Sequence, residues 1–163
     1  MKRLLLMRHA KSSWDYPELH DIERPLNKRG AKAATKIGRE IALLKWCPQL
    51  VLSSNSVRTQ QTWQLLSKEL PKQPLVFFLP SLYHSGIGRI QAAIEFIHPQ
   101  TESILILGHN PGWTQAHEWL TGDYIEFKTA SIAFLECDLP TWQEAIQTPQ
   151  AWNRKYMRHP RNL

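Results

Sequence analysis

Leu4-Leu5-Leu6-Met7-Arg8-His9-Ala10-Lys11 sets an apolar run of strand length directly against a basic, histidine-bearing turn. Further short apolar runs follow at residues 49–52, 75–79, 103–107 and 131–137, each reading as a strand. Longer amphipathic stretches lie between them. Over residues 28–46, Ala34, Ile37, Ile41 and Leu44 recur at helical steps, while Lys28, Lys32, Lys36 and Arg39 fall on other faces. Residues 57–70, 87–97 and 111–120 are the other expected helices. Strand and helix thus alternate, and a parallel crossover needs a helix. The expectation is an α/β fold with a mostly parallel central sheet and helices on both faces. Residues 15–27 form a polar loop longer than structural connections usually are. Beyond Pro140 the chain turns Pro- and Arg-rich and is expected to wrap the surface.

Length and charge bound the function classes. A chain of 163 residues suits one domain spanning 1–163. No apolar run approaches the roughly 18 residues of a membrane span, and Arg8 to Lys11 end the N-terminal apolar stretch too early for a signal peptide. Cys47 and Cys137 make neither a disulfide framework nor a metal cluster. These features point to a cytoplasmic protein with no membrane partner. Lys plus Arg is 20 against 14 Asp plus Glu, a formal charge of +6. That excess suggests an anionic partner. Nucleic acid fits poorly, because the basic residues are scattered and no nucleic-acid motif accompanies them.

Open α/β sheets bind ligands at the carboxyl ends of their strands. Arg8-His9-Ala10-Lys11 follows the first strand, Ser53-Ser54-Asn55-Ser56-Val57-Arg58 the second, and Gly108-His109-Asn110-Pro111 the fourth. Asn110 before Pro111 reads as an N-cap with proline at the first helical position, and Ser54, Asn55 and Ser56 are cap candidates before Val57. Helix N-termini, two arginines and two histidines on one rim describe a phosphate-sized anion pocket. The arginine fork matches phosphoryl oxygens in pairs, so Arg8 and Arg58 are clamps. Either His9 or His109 can take the phosphoryl group covalently, leaving the other to stabilise developing charge. With arginines supplying the positive charge, the chemistry requires no metal and no cofactor.

Leu6-Met7-Arg8-His9-Ala10, the 53–62 segment and Gly108-His109-Asn110-Pro111 resemble the three motifs of the histidine phosphatase superfamily. Arg8-His9-Ala10-Lys11-Ser12, Arg24-Pro25-Leu26-Asn27-Lys28-Arg29-Gly30 and the Gly-His-Asn-Pro turn resemble more narrowly its small SixA-like phosphohistidine phosphatase branch. The resemblance covers about residues 2–137. It implies a three-layer, phosphoglycerate mutase-like α/β/α fold, with His9 as nucleophile and Arg8, Arg58 and His109 lining the phosphate pocket. Two departures matter. Segment 80–86 lacks the Glu that many phosphomonoesterases of the superfamily place after the third strand. Asn110 stands where the phytase and acid phosphatase branch has an Asp. An alkoxide leaves poorly without a proton donor, whereas an imidazole nitrogen leaves more readily. The reading is therefore a metal-independent phosphatase acting on phosphohistidine in a protein partner. A phosphomonoesterase for small esters, with Glu18, Asp21 or Glu23 as the acid, is the alternative. A non-catalytic phosphate- or phosphoprotein-binding module is the third.

Other residues weigh less. Arg24 and Lys11 are candidates to extend the substrate pocket, against an ordinary solvated role. Asn27 reads as a helix cap, and Ser12 and Ser53 as phosphoryl ligands or turn closures. His84 is an alternative acid, and Trp14 and Trp113 are cleft walls or core. His20, His98 and His117 lack ligand spacing, so no metal is assigned to them. Arg158-His159 repeats the first motif's dipeptide in a tail with no expected strand before it, so it reads as solvated.

Overall fold

Along the N-terminal apolar run, alternate side chains enter two different cores, Leu4 and Leu6 one and Leu5 and Met7 the other. This is the two-residue period of a strand covered on both faces. The computed structural model describes residues 1–163. The run forms β1 (Lys2–Arg8), followed by α1 (Lys28–Leu43), β2 (Leu50–Ser54), α2 (Val57–Ser67), β3 (Leu75–Leu79), α3 (Ile87–Ile94), β4 (Ser103–Gly108), α4 (Gly112–Thr121), β5 (Ile132–Cys137), α5 (Trp142–Gln147) and β6 (Asn153–Arg158). The six strands make one sheet in the order β3-β2-β4-β1-β5-β6. β3, β2, β4 and β1 are mutually parallel, and β5 runs antiparallel to both β1 and β6.

The sheet is the middle of three layers. Ala34, Ile37 and Ile41 of α1 and Trp63 and Leu66 of α2 cover one face. Ile90 and Ile94 of α3, Trp113 and Leu120 of α4 and Ile146 of α5 cover the other. The mostly parallel α/β/α expectation is thereby met. β4 lies between β1 and β2, so the carboxyl ends of those three strands, which carry the three motifs, are neighbours.

The expected helix ends shift inward for local reasons. α1 stops at Leu43 rather than Trp46 because Lys45 takes a left-handed conformation (φ 59°). Trp46 N–H then bonds back to Ile41 O (3.0 Å), and its ring packs edge-on to Phe134. α2 ends at Ser67 and α3 at Ile94. Ser56 and Asn27 cap α2 and α1 as expected, accepting from Thr59 and Gly30. Asn110 is not the α4 cap residue. Pro111 occupies that position and the helix begins at Gly112, yet the Asn110 side chain still serves the first turn while bridging to a second segment. Its Oδ1 accepts from Thr114 N–H (3.2 Å) while its Nδ2 donates to Phe127 O (2.7 Å).

The tail departs most from expectation. Instead of wrapping the surface it supplies α5 and the edge strand β6. Trp142 and Trp152 are buried and stack at 6.1 Å, and their indole N–H groups donate to Thr101 O and Ala145 O. Arg158-His159 consequently ends a strand. Arg158 pairs with Glu40 at 2.8 Å, and His159 Nδ1 lies 2.6 Å from Ser131 Oγ. No helix is long and apolar enough to cross a membrane.

Candidate active site

The register of the central strands builds the site. Arg8 pairs with Gly108 across β1 and β4, and Ser53 with Leu107 across β2 and β4. The residues just beyond these pairs, His9, His109 and the α2 start with Arg58, therefore meet at one rim. Two glycines permit the approach. A Cβ on Gly108 would lie 2.3 Å from the Trp113 ring, and one on Gly112 would lie 1.7 Å from Ser85 O.

His9 is buried, with its ring centroid 5.2 Å from that of His109. His9 Nδ1 is 2.7 Å from Ala10 O. A carbonyl only accepts, so Nδ1 carries the proton and Nε2 keeps its lone pair. Arg58 Nε donates towards that Nε2 at 3.4 Å. His109 holds the opposite tautomer. Arg58 Nη2 approaches its Nδ1 at 3.4 Å, so Nε2–H faces Ser54 Oγ at 2.8 Å. Burial, then Arg58 and Arg8, lower the His9 pKa to about 3. Burial, then His9 and Arg58, lower that of His109 to about 2. Both rings are neutral at physiological pH.

The arginines are anchored differently. Arg8 Nη1 donates to Phe127 O (2.8 Å), whereas its buried Nε has no acceptor in the protein. Arg58 is 2 % exposed and donates to Asp21 through both terminal nitrogens, to O at 2.8 Å and Oδ2 at 3.0 Å. Asp21 Oδ2 also accepts from Tyr83 Oη and lies 3.0 Å from His84 Nε2. Partial burial works against ionising Asp21. Hydrogen bonds from Tyr83, His84 and Arg58 outweigh it and hold the carboxyl below the usual carboxylate range. Arg24 is buried, but its three nitrogens are committed to Ser13 O, Asp21 Oδ1 and Ser12 Oγ. It orients the loop carboxylate, and of its five N–H donors these bonds use three.

Of the expected residues, the structure brings together Arg8, His9, Arg58 and His109, with Arg24 linked to Arg58 through Asp21. His84 joins them, its ring 4.9 Å from His109. Among the loop carboxylates only Asp21 enters. Glu23 bonds the His20 backbone and Glu18 is exposed. Ser53 Oγ closes onto Ser54 O, and Lys11 is exposed. Trp14 is exposed with the Arg24 guanidinium stacked 3.3 Å above it, while Trp113 belongs to the core. Tyr83 escaped sequence reading. It follows β3, whose carboxyl end lies on the same rim, and that position was the available signal.

Arginine donors, a buried imidazole with an unprotonated Nε2 and a helix start form a pocket suited to phosphoryl transfer. The family model of the histidine phosphatase superfamily (branch 1) matches residues 4–78. An uncharacterized chloroplastic protein of Arabidopsis thaliana is 35% identical over 162 residues, covering 93% of this chain and 74% of that protein. Among solved structures, the SixA protein of Agrobacterium tumefaciens superposes with a TM-score of 0.82 at 24% identity over 98% of both chains. The protein histidine phosphatase SixA in complex with tungstate gives 0.83 at 21% identity, also over 98% of both. The phosphoglycerate mutase-like architecture is shared with them.

Proposed function

The chain belongs to the histidine phosphatase superfamily, and from that premise we propose that it hydrolyses phosphohistidine on a protein through a phosphorylated His9. The observation that carries this reading is the state of Asp21. It is the loop carboxylate that reaches the pocket, and it is held ionised. A carboxylate held ionised by these partners is no proton donor for a departing alkoxide, whereas an imidazole leaves more readily without one.

His9 Nε2 attacks phosphorus in line as the phosphorus–nitrogen bond of the substrate breaks. A substrate ring protonated on its other nitrogen leaves as neutral imidazole, so no proton is required at the leaving atom. Arg8 and Arg58 neutralise the phosphoryl oxygens, with Arg8 Nε an uncommitted donor for one of them. The approaching dianion raises the His109 pKa and allows Nδ1 to donate as charge develops. Water then attacks phosphorus and His9 leaves. Because Nδ1 already carries a proton shared with Ala10 O, His9 departs neutral. Arginine charge replaces any metal, so turnover persists in EDTA.

Wild type and His9→Ala assayed on a phosphohistidine peptide, phosphoserine and a sugar phosphate test the reading. Expected are preference for the phosphohistidine peptide, an acid-labile label trapped on the wild-type chain, and at least about 10³-fold loss with no label in His9→Ala. Faster turnover of the esters would assign the chain to small phosphate esters. Binding without any label would assign it to the non-catalytic class.

A further inference from the structure

A second, unrelated concentration of charge lies beside the pocket. A cleft of about 290 Å³ opens between α1, the loop before β5 and the C-terminal turn, and Lys11, Arg29, Lys32, Lys36, Lys128 and Arg161 line it. No carboxylate lines it. None of the six cations joins an ion pair, whereas Arg3, Arg24, Arg39, Arg58, Arg154, Lys155 and Arg158 all do. Arg29 also stands in the first turn of α1, which holds no acidic residue. Positive charge there opposes the helix dipole, so its placement works against the local stability of the helix.

The cleft adjoins the chemistry. Lys11 follows His9 by two residues, so their Cα atoms are at most about 7.6 Å apart. Lys128 follows Phe127, whose carbonyl anchors Arg8. The shape is that of a trough. Arg29, Lys32 and Lys36 form one stripe along α1. From Arg29 to Lys36 the helix rises about 10 Å, the length of about three extended residues. Asn27 already occupies the Gly30 N–H at the helix start, so exposed lysine and arginine heads supply the recognition. Such heads suit carboxylates strung along a chain better than one enclosed phosphate.

We propose that this trough docks an extended Asp/Glu-rich segment of the phosphohistidine-bearing protein while its phosphoryl group enters the His9 pocket. The inference rests on the phosphohistidine reading and assigns that substrate a second, acidic recognition element.

The test uses two phosphohistidine peptides, one flanked by four Asp/Glu residues and one by Ser/Gly. Wild type and the exposed double variant Lys32→Glu/Lys36→Glu are assayed on both and on phosphoramidate. Expected is at least about tenfold preference of the wild type for the acidic peptide, expressed in KM, shrinking with salt and absent from the double variant. Phosphoramidate turnover stays unchanged in the variant. Equal rates on the two peptides would overturn the proposal, as would an equal loss on phosphoramidate. Docking is also read without turnover, by fluorescence anisotropy of the unphosphorylated acidic peptide, whose Kd weakens at least tenfold in the variant. Failure of every phosphohistidine substrate alongside intact peptide binding would overturn the functional reading alone. Tighter binding of inorganic polyphosphate than of the acidic peptide would reassign the trough to a free polyanion.

Discussion

Keeping His9 and His109 neutral couples the pocket to acid stability. Both have depressed pKa values, about 3 and about 2, against about 6.5 in the unfolded chain. Between those limits the unfolded chain binds more protons, so stability rises with pH through this window and is flat above it. Each histidine contributes at most about 1.4 kcal/mol per pH unit. Urea midpoints should therefore fall from pH 6.5 towards pH 4, and less steeply in His109→Asn. The same burial and arginine charge destabilise an imidazolium, and phosphorylation of His9 at Nε2 creates one, which hastens its dephosphorylation. Asp21 acts in the opposite sense, placing negative charge against Arg58. In Asp21→Asn, inhibition by inorganic phosphate should tighten about five- to tenfold, a partly exposed charge being screened. Phosphohistidine turnover should stay within a few-fold, and a hundredfold loss would make Asp21 the acid. Arg8, His9, Arg58 and His109 were legible because each follows an apolar strand. Asp21 was one of three equal loop carboxylates, since only tertiary contact distinguishes it from Glu18 and Glu23.

The elements differ in how plainly they wrote themselves. β1 and β4 are buried on both faces, so unbroken apolar runs disclosed them. β6 is a sheet edge reading Asn153-Arg154-Lys155-Tyr156-Met157-Arg158, and charge on an edge discourages pairing with other chains. That same polarity hid it as a strand. α5 has six residues anchored by Trp142, too few for a helical period to show. Trp142→Ala should cost about 3–5 kcal/mol in denaturant unfolding, because it opens the α5 side of the core and unpairs Trp152. A loss below 1 kcal/mol would show the tail to be dispensable. α1 predicts the opposite effect. Arg29→Glu should stabilise the fold by about 0.3–1 kcal/mol, read as a raised Tm, because it replaces a cation by an anion at a helix start.

For the whole molecule, the strand order was not legible although the layers were. Alternation of strands and helices implied a parallel sheet with two covered faces, but nothing local in residues 103–108 says that β4 enters between β1 and β2. That insertion sets an order of events. When residues 1–102 have been synthesised, Arg8, His9 and Arg58 all exist, yet the strand that separates and aligns them does not. The nucleophile then has neither its opposing histidine nor its neighbouring clamp in place. Phosphate therefore has nothing to grip until the long-range pairing of β4 with β1 and β2 closes. It should slow unfolding of the finished protein while leaving the rate of refolding unchanged, because its binding site is a product of folding and takes no part in starting it.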